Sequence, residues 1–336
     1  MRRRRLLGLT LALAGGLNST LADDFDLGPV FSALEENDLL VKTDRHYTQG
    51  IKLSYVGADG HVPDWLEELS EGLSPLGFEK RTDRWGLAVG QNIYTPSDIT
   101  IPELQPDDRP YAGWLYLGFI WQRRGFTAEC LPTLESFELQ LGIIGPESLA
   151  EQSQTWIHRL RGFDLPQGWD NQLDTEPGIA LRYQRSWRWS PNGDESWFDV
   201  IPHAGGSLGN VETSMRMGAT ARLGWNLPRD FGVQTISSLM SNEGGCPRSA
   251  KGPNWGAHIF ASAEGSLVLY TAFLDGNLFH DSHSVDKKPL VAEMKGGVAL
   301  TSRWLEFALS YVYRTPEFEE QGLDSGYGVF SVKFLF

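Results

Sequence analysis

The sequence predicts an all-β fold, a twelve-stranded antiparallel transmembrane β-barrel with a short helix between two of its strands. Three observations favour this class. Many segments alternate apolar and polar residues with the period of two that a strand requires. No stretch after residue 22 has the ~18 consecutive apolar residues of a membrane-spanning helix. The last strand ends on Phe336 and carries aromatic residues on one face.

The N-terminus has the three parts of a secretory signal peptide. Arg2 to Arg5 form a basic region, an apolar run extends to Ala14, and Thr20-Leu21-Ala22 has small residues spaced for a signal peptidase. The apolar run is shorter than the ~20 residues that span a bilayer, which disfavours a membrane anchor. We expect residues 1–22 to be a signal peptide and residues 23–336 to form one barrel domain.

Alternation and turn residues predict the strands one by one. An even number of strands brings both ends of a barrel chain to the same side of the membrane. The predicted ranges are 32–41, 48–57, 84–94, 111–122, 134–144, 176–189, 197–208, 212–226, 256–270, 288–300, 304–314 and 327–336. The aromatic ending of the last strand is similar to the assembly signal of bacterial outer-membrane barrels, so we expect the Gram-negative outer membrane as the location.

One segment interrupts the strand pattern. Glu147 to Arg161 lacks glycine and proline and is followed by Gly162, a typical helix stop. A helix there would lie in the mouth of the lumen or on a rim, as a plug, as a brace for loops or as part of a functional site. Its apolar candidates for packing are Leu149, Trp156 and Leu160.

Charge and cysteine content limit the partners. The formal net charge is −14, and loss of the N-terminal segment with its four arginines makes it more negative still. Such a chain has no electrostatic basis for binding nucleic acid. Cys130 and Cys246 are the only cysteines. A disulfide between them and two separate thiols both remain open, because the sequence gives no distance.

Two groups of polar residues are candidates for chemistry. Gln154 and His158 are four residues apart and therefore share a face of the predicted helix, and histidine suits proton transfer near neutral pH. A lone helical histidine is, however, more often structural. Glu36-Asn37-Asp38 and Thr43 to Gly50 are rich in oxygen ligands of the kind that calcium prefers. The alternative is an ordinary turn with solvated charges.

Gly205-Ser207-Gly209 has the spacing of a nucleophile elbow, G-x-S-x-G. That motif requires a strand, a sharp turn and a helix. Here it lies inside a predicted strand, so we expect a glycine-rich bend of a barrel strand rather than a nucleophilic serine.

Several motifs together resemble the lipid A 3′-O-deacylase family of Gram-negative outer membranes, and the likeness is strongest from Glu36 to Gly178. In chain order they are Glu36-Asn37-Asp38, Thr43-Asp44-Arg45-His46-Tyr47-Thr48-Gln49-Gly50, Gln91-Asn92-Ile93-Tyr94-Thr95-Pro96, Asp108-Arg109-Pro110-Tyr111-Ala112-Gly113-Trp114, Gly142-Ile143-Ile144-Gly145-Pro146, Gln154, His158 and Gly168-Trp169-Asp170-Asn171-Gln172.

The resemblance implies a monomeric, calcium-dependent esterase that removes the 3′-acyloxyacyl group of lipid A, the membrane anchor of lipopolysaccharide. It implies that His158 is the general base for water and that Gln154, Asn37 and Thr48 are active-site residues. Asp38 and Asp164 are implied as ligands of the metal. Asn37 and Asp38 are adjacent, so a regular strand would turn them to opposite faces, and a bulge is needed if both serve one site.

The chain departs from the family at one position. The stretch 95–106 contains no Lys or Arg, and Ile101 stands where the resemblance places an active-site lysine. Arg109 is a candidate replacement.

Thr48 shares the less apolar phase of its strand, which predicts a site on the inner side of the barrel wall near the outer leaflet.

Two other classes of function remain open. The first is a barrel without catalytic activity, namely a porin, a transporter or a structural protein; a long helix in the lumen would suggest a plug, which a porin does not need. A barrel phospholipase would require a serine nucleophile paired with a histidine.

Overall fold

The computed structural model describes residues 27–37, 46–73, 78, 80–127, 131–191, 196–236, 254–322 and 326–336. The predicted signal peptide, Asp38, Cys130 and Cys246 lie outside these ranges. Within them, twelve antiparallel strands form a closed barrel in which each strand pairs with its neighbours in sequence and β1 pairs with β12. The predicted class and strand number are confirmed.

The strands follow the predicted ranges closely and differ mainly at their ends. They are β1 (Val30–Asn37), β2 (His46–Val56), β3 (Lys80–Thr95), β4 (Ala112–Phe126), β5 (Pro132–Ile144), β6 (Glu176–Trp187), β7 (Phe198–Gly209), β8 (Glu212–Trp225), β9 (Trp255–Thr271), β10 (Leu290–Ser302), β11 (Leu305–Arg314) and β12 (Gly326–Leu335). We call the end of the barrel at Val30 and Leu335 the lower rim, and the end at Asn37 and Ile144 the upper rim.

Alternation along the strands separates an outward belt from a polar lumen. On β2, Ile51 and Leu53 face outward and are exposed, whereas Lys52 and Ser54 face inward and are buried. The Lys52 ammonium crosses the lumen to the Glu138 carboxylate of β5 at 2.7 Å. An apolar outer surface around a polar interior is the pattern of a barrel in a lipid bilayer.

A segment from the lower rim enters the lumen. Residues 227–236, which we call the lumen segment, follow β8 and are largely buried. Asp230 pairs with the Arg222 guanidinium, the Val233 carbonyl accepts from Lys295 at 3.1 Å, and the Ile236 N–H donates to Glu36 near the upper rim at 2.5 Å. This series of contacts shows that the segment runs upward through the barrel.

Two helices were not predicted. Helix α1 (Asp64–Gly72) lies at the lower rim, where the Ser70 carbonyl near its C-terminus accepts hydrogen bonds from Arg81 and Arg123. Cations at this end of a helix offset its dipole and satisfy its terminal carbonyls. A single helical turn, Ala272–Asp275, follows β9. None of the helices in the described ranges is long and apolar enough to cross a membrane.

Candidate functional site

The predicted helix is present and ends where the sequence indicated. Helix α2 (Ala150–Arg161) follows a 3₁₀ turn at Pro146–Ser148. Gly162 takes a positive φ of 72°, and the Phe163 N–H donates to the His158 carbonyl at 3.0 Å. This bond closes the last turn in the way that a C-terminal glycine permits. We number the single turn at Ala272–Asp275 as α3.

Helix α2 lies across the outward face of the wall at the upper rim. At its start, Ala150 packs with Ile93 of β3 and fills the space that a side chain at Gly113 of β4 would need. At its end, the Arg161 guanidinium pairs with the Glu35 carboxylate of β1 at 3.5 Å. Twelve residues of helix extend about 18 Å, enough to cross from β4 to β1 at about 4.8 Å per strand.

This position corrects the expectation of a site on the inner side of the wall. Ile93 and Gly113 are register partners on the outward phase of their strands, the phase of the exposed Leu87 and Leu117. The expectation of a rim location is correct, and the lumen is excluded for α2. The apolar residues Leu149, Trp156 and Leu160 are exposed instead of packed.

A β-bulge at Thr48 explains why the alternation along its strand predicted the wrong side of the barrel wall for this residue. The register between β2 and β3 shifts between Tyr47 and Gln49, so Thr48 is an extra residue. Its hydroxyl is 2.7 Å from that of Thr95, which shares the outward phase of Ile93. A bulge places two residues of one strand opposite one of its partner. Thr48 and Gln49 therefore both turn to the outward face, beneath the helix.

The neighbouring residues support this bulge. Tyr47 points into the lumen, where its ring contacts those of Tyr94 and Tyr327. A Cβ at Gly50 would approach the Tyr47 hydroxyl to 2.1 Å, so glycine is required there. The Tyr-Thr-Gln-Gly motif thus makes room for an inward tyrosine and turns the two residues between outward.

Asn37 lies on the same outward row. It is the last residue of β1 and the register partner of Gln49. Asn37, Gln49, Ile93 and Gly113 follow one another across β1 to β4 through successive register pairs. Asp38, the next residue in the sequence, is outside the described residues.

His158 lies on the buried side of α2 that faces the wall. Its Nδ1 is 2.5 Å from the Asp164 carbonyl oxygen. A carbonyl can only accept, so Nδ1 carries the proton of the neutral ring and Nε2 is the nitrogen that can take up a proton. Asp164 thus orients the histidine through its backbone, while its own carboxylate is exposed.

Gln154 is one turn before His158 and is fully buried. Its Oε1 accepts a hydrogen bond from Trp169 Nε1 at 2.9 Å. This contact fixes which end of the amide is oxygen. The Nε2 amide is a buried donor with no hydrogen-bond partner among the described residues. A buried, unsatisfied donor costs free energy, and a bound substrate oxygen would offset that cost.

The remaining motifs fix the helix to the wall. Trp169 packs on Tyr111 with ring centroids 4.9 Å apart, in a cluster that includes Ile93 and Ala150. A Cβ at Gly168 would come within 2.6 Å of the Tyr111 ring. The conformation of Gln154 therefore depends on the 108–114 and 168–172 motifs together, which sequence spacing alone did not reveal.

Arg109 is not available to replace the lysine. It is buried, its guanidinium pairs with Glu317 at 3.3 Å, and it stacks over Tyr94, which faces the lumen. Ile101 lies in a loop against the segment that carries Trp169, where Ile99 and Pro102 carbonyls accept from residues 167 and 171. On α2, Arg161 brings a guanidinium to the outward face.

The described residues contain no group of three or more His, Cys, Asp or Glu side chains placed to hold a metal ion. Asn37 and Thr48 supply uncharged oxygen atoms on the outward face. The carboxylate of Asp164 is the described member of the predicted metal pair.

A closed, twelve-stranded barrel with an apolar outer belt and a polar interior defines a bacterial outer-membrane protein. The family model described as "Outer membrane protein LpxR" matches residues 7–336. The chain therefore belongs to the LpxR family of outer membrane proteins.

One solved structure of this family has the same fold. The chain is similar to LpxR from Salmonella typhimurium, with 21% identity over 91% of this chain and 100% of that chain and a TM-score of 0.70. It is also similar to the beta domain of the Bordetella autotransporter BrkA, with 11% identity, coverage of 93% and 99%, and a TM-score of 0.45. No curated protein matches the sequence significantly.

Proposed function

We propose that this protein is an outer-membrane esterase that hydrolyses the 3′-acyloxyacyl ester of lipid A. Family membership supports an enzyme of this type. The observation that carries the proposal is the buried polar stripe of Gln154 and His158, held against the outward face of the barrel. On this face the site meets membrane lipid instead of the lumen.

In the proposed reaction, His158 acts as the general base. Nε2 takes a proton from water as the water oxygen forms a bond to the ester carbonyl carbon. The Asp164 carbonyl keeps the proton on Nδ1, 2.5 Å away, and stabilises the imidazolium that forms. No serine nucleophile is needed.

Gln154 stabilises the carbonyl oxygen of the ester by a hydrogen bond. As that oxygen becomes an oxyanion, it accepts a hydrogen bond from Gln154 Nε2, a buried donor that has no partner among the described residues. The bond between the carbonyl carbon and the sugar oxygen then breaks in this intermediate. His158 returns its proton to that oxygen, which leaves a sugar hydroxyl and a carboxylic acid.

We assign calcium to the same surface. The amide of Asn37 and the hydroxyl of Thr48 are hard oxygen donors of the kind that calcium takes, and Asp38 and Asp164 would supply the carboxylates. Calcium, when bound, would place a fixed positive charge beside the ester carbonyl. Because Ile101 contributes no charge there, we expect activity to depend strictly on the cation.

Two alternatives have less support. A porin requires an open lumen, but the lumen segment and the Lys52–Glu138 pair lie across it. A serine phospholipase requires a paired histidine, but Ser207 lies within β7, and His203 on the same strand bonds to Glu264 at 3.0 Å.

The proposal is tested with the purified, folded protein and lipid A in mixed micelles. We expect release of the acyloxyacyl fatty acid with calcium, no release with chelator, and recovery when calcium is restored. Release that continues in chelator would reject the metal assignment. Absence of release under every condition, from protein shown to be folded, would reject the esterase.

A further inference from the structure

Helix α2 has three distinct faces. With 3.6 residues per turn, its buried stripe of Ala150, Gln154 and His158 faces the wall. The other two faces flank this stripe on opposite sides. Since the helix crosses the strands, one flank faces the lipid belt and the other faces the solvent beyond the rim.

The two flanks differ in chemistry. One carries Trp156, Ile157 and Leu160 with the small Ser153 between them, and two of its apolar side chains are among the more exposed, with 65% of Trp156 and 70% of Leu160 accessible. The other carries polar residues throughout, namely Glu151, Gln152, Thr155 and Arg159. A helix packed on a water-soluble protein turns its apolar side inward, whereas here the wall receives the polar stripe.

The apolar flank continues beyond the ends of the helix. Leu149 precedes it and Phe163 follows it, and both side chains are exposed. Farther down the outward face, below the row of Ile51, Gln91 and Leu115, the barrel surface is also apolar and exposed, with Leu53 on β2, Val89 on β3 and Leu117 on β4. The flank and the outward face of the barrel wall are therefore alike in being apolar and exposed.

We propose that α2 lies in the interface of the outer leaflet, with Trp156 and Leu160 among the acyl chains and Glu151 and Arg159 at the level of the head groups. Its partner is the hydrocarbon of membrane lipid. Segregation of an apolar face from a charged face is the property that holds a helix at such an interface, and tryptophan is enriched at this depth.

A consequence follows that rests on the proposed function. The ester bond of a membrane lipid would enter the space between α2 and the wall sideways, from the leaflet. Its acyl chains would remain in hydrocarbon while the carbonyl reaches Gln154 and His158. The apolar flank would then serve substrate entry, separate from the chemical step.

The position of the helix is tested without reference to activity. Single cysteines are introduced as Trp156→Cys, Leu160→Cys, Glu151→Cys and Arg159→Cys, in a protein that also carries Cys130→Ser and Cys246→Ser. Each is spin-labelled and reconstituted in bilayers. We expect labels at 156 and 160 to be relaxed by oxygen more than by an aqueous nickel chelate, and labels at 151 and 159 to show the reverse. Four labels that all favour the nickel chelate would overturn the proposal.

Substrate entry is tested by a second pair of variants. Trp156→Glu with Leu160→Glu is compared with the control Glu151→Gln with Arg159→Gln. We expect the first pair to lose activity several-fold on lipid A in bilayers but to retain it in detergent micelles, where lipid reaches the site without the leaflet. Equal activity of both pairs in bilayers would overturn lateral entry. A wild-type protein inactive on lipid A would instead reject the proposed function, while the label depths would still decide the position of α2.

Discussion

At the scale of single residues, Thr48 shows why the side of the wall could not be predicted. Counting alternation from Lys52 places Thr48 in the lumen phase. One extra residue between Tyr47 and Gln49 reverses that phase, because a strand has a period of two. The reversal depends on the pairing of β2 with β3, and a single strand sequence does not contain it.

Gln154 is the residue whose role the structure sharpens most. Spacing placed it beside His158, but its orientation comes from Trp169, fifteen residues later, through a bond of 2.9 Å. The indole N–H holds the amide oxygen and leaves the amide N–H₂ as the donor. A distant motif thus orients the amide of the candidate site.

Gln154→Leu tests this donor. The substitution keeps the side-chain size but removes the hydrogen bond to the oxyanion, so we expect kcat to fall by about 10²–10³ with little change in KM. Trp169→Phe keeps an aromatic side chain but removes the indole N–H that orients the amide, together with part of the ring that packs on Tyr111, and a smaller loss of kcat is expected. A Gln154→Leu enzyme with wild-type kcat would contradict the assigned role.

At the scale of elements, strands were more predictable than helices. In each barrel strand, the alternation of apolar and polar residues shows which side chains face outward and which face the lumen. The predicted ranges therefore differ from the observed strands mainly at the ends. Helix α1 depends on Arg81 and Arg123 from two strands, and α3 is a single turn. Helix α1 does have a local pattern, with Pro63 before it and Asp64 and Glu67 in its first turn, and the prediction missed it, whereas the single turn of α3 is too short to have one.

The contact between α2 and the wall depends on Gly113. A Cβ at this position would lie 1.9 Å from Ser148 Oγ and 2.4 Å from the Ala150 Cβ. In Gly113→Ala the helix must move, and a displacement of about 1 Å in an active site can cost about 10²-fold in rate. We expect that loss of activity in a barrel that still folds.

Gly265→Ala is the matched control for this substitution. Gly265 also lies in a barrel strand, β9, and an added Cβ there meets no atom within 4 Å. Activity and heat-modifiable gel mobility are measured for both variants. Equal activity of Gly113→Ala and Gly265→Ala would contradict the close packing of α2 on β4.

At the scale of the whole molecule, the barrel separates two tasks. The lumen holds buried ion pairs and the lumen segment, which join strands on different sides of the barrel. The outward face of the upper rim holds the candidate site. A rigid interior allows the wall to act as a fixed platform for groups on α2, and fixed geometry is what catalysis requires.

The lumen is tested through the Lys52–Glu138 pair. Lys52→Met removes the ammonium that contacts the buried Glu138 carboxylate at 2.7 Å, and loss of one partner of a buried pair costs about 3–5 kcal/mol in the free energy of unfolding. Lys52→Met with Glu138→Leu removes both charges and should recover much of that loss. Urea unfolding of the folded barrel in detergent micelles measures both. Wild-type stability of the single variant would indicate a hydrated, open lumen.

The role proposed for His158 is to activate water for hydrolysis of a lipid A ester. It is tested most directly by mass spectrometry of lipid A from Gram-negative cells that express the wild-type chain, His158→Ala or His280→Ala. His280 lies exposed in a loop of the upper rim and serves as the matched histidine control. We expect loss of one acyloxyacyl unit with the wild type and His280→Ala, and unchanged lipid A with a folded His158→Ala barrel. Deacylated lipid A from cells with His158→Ala would contradict the account.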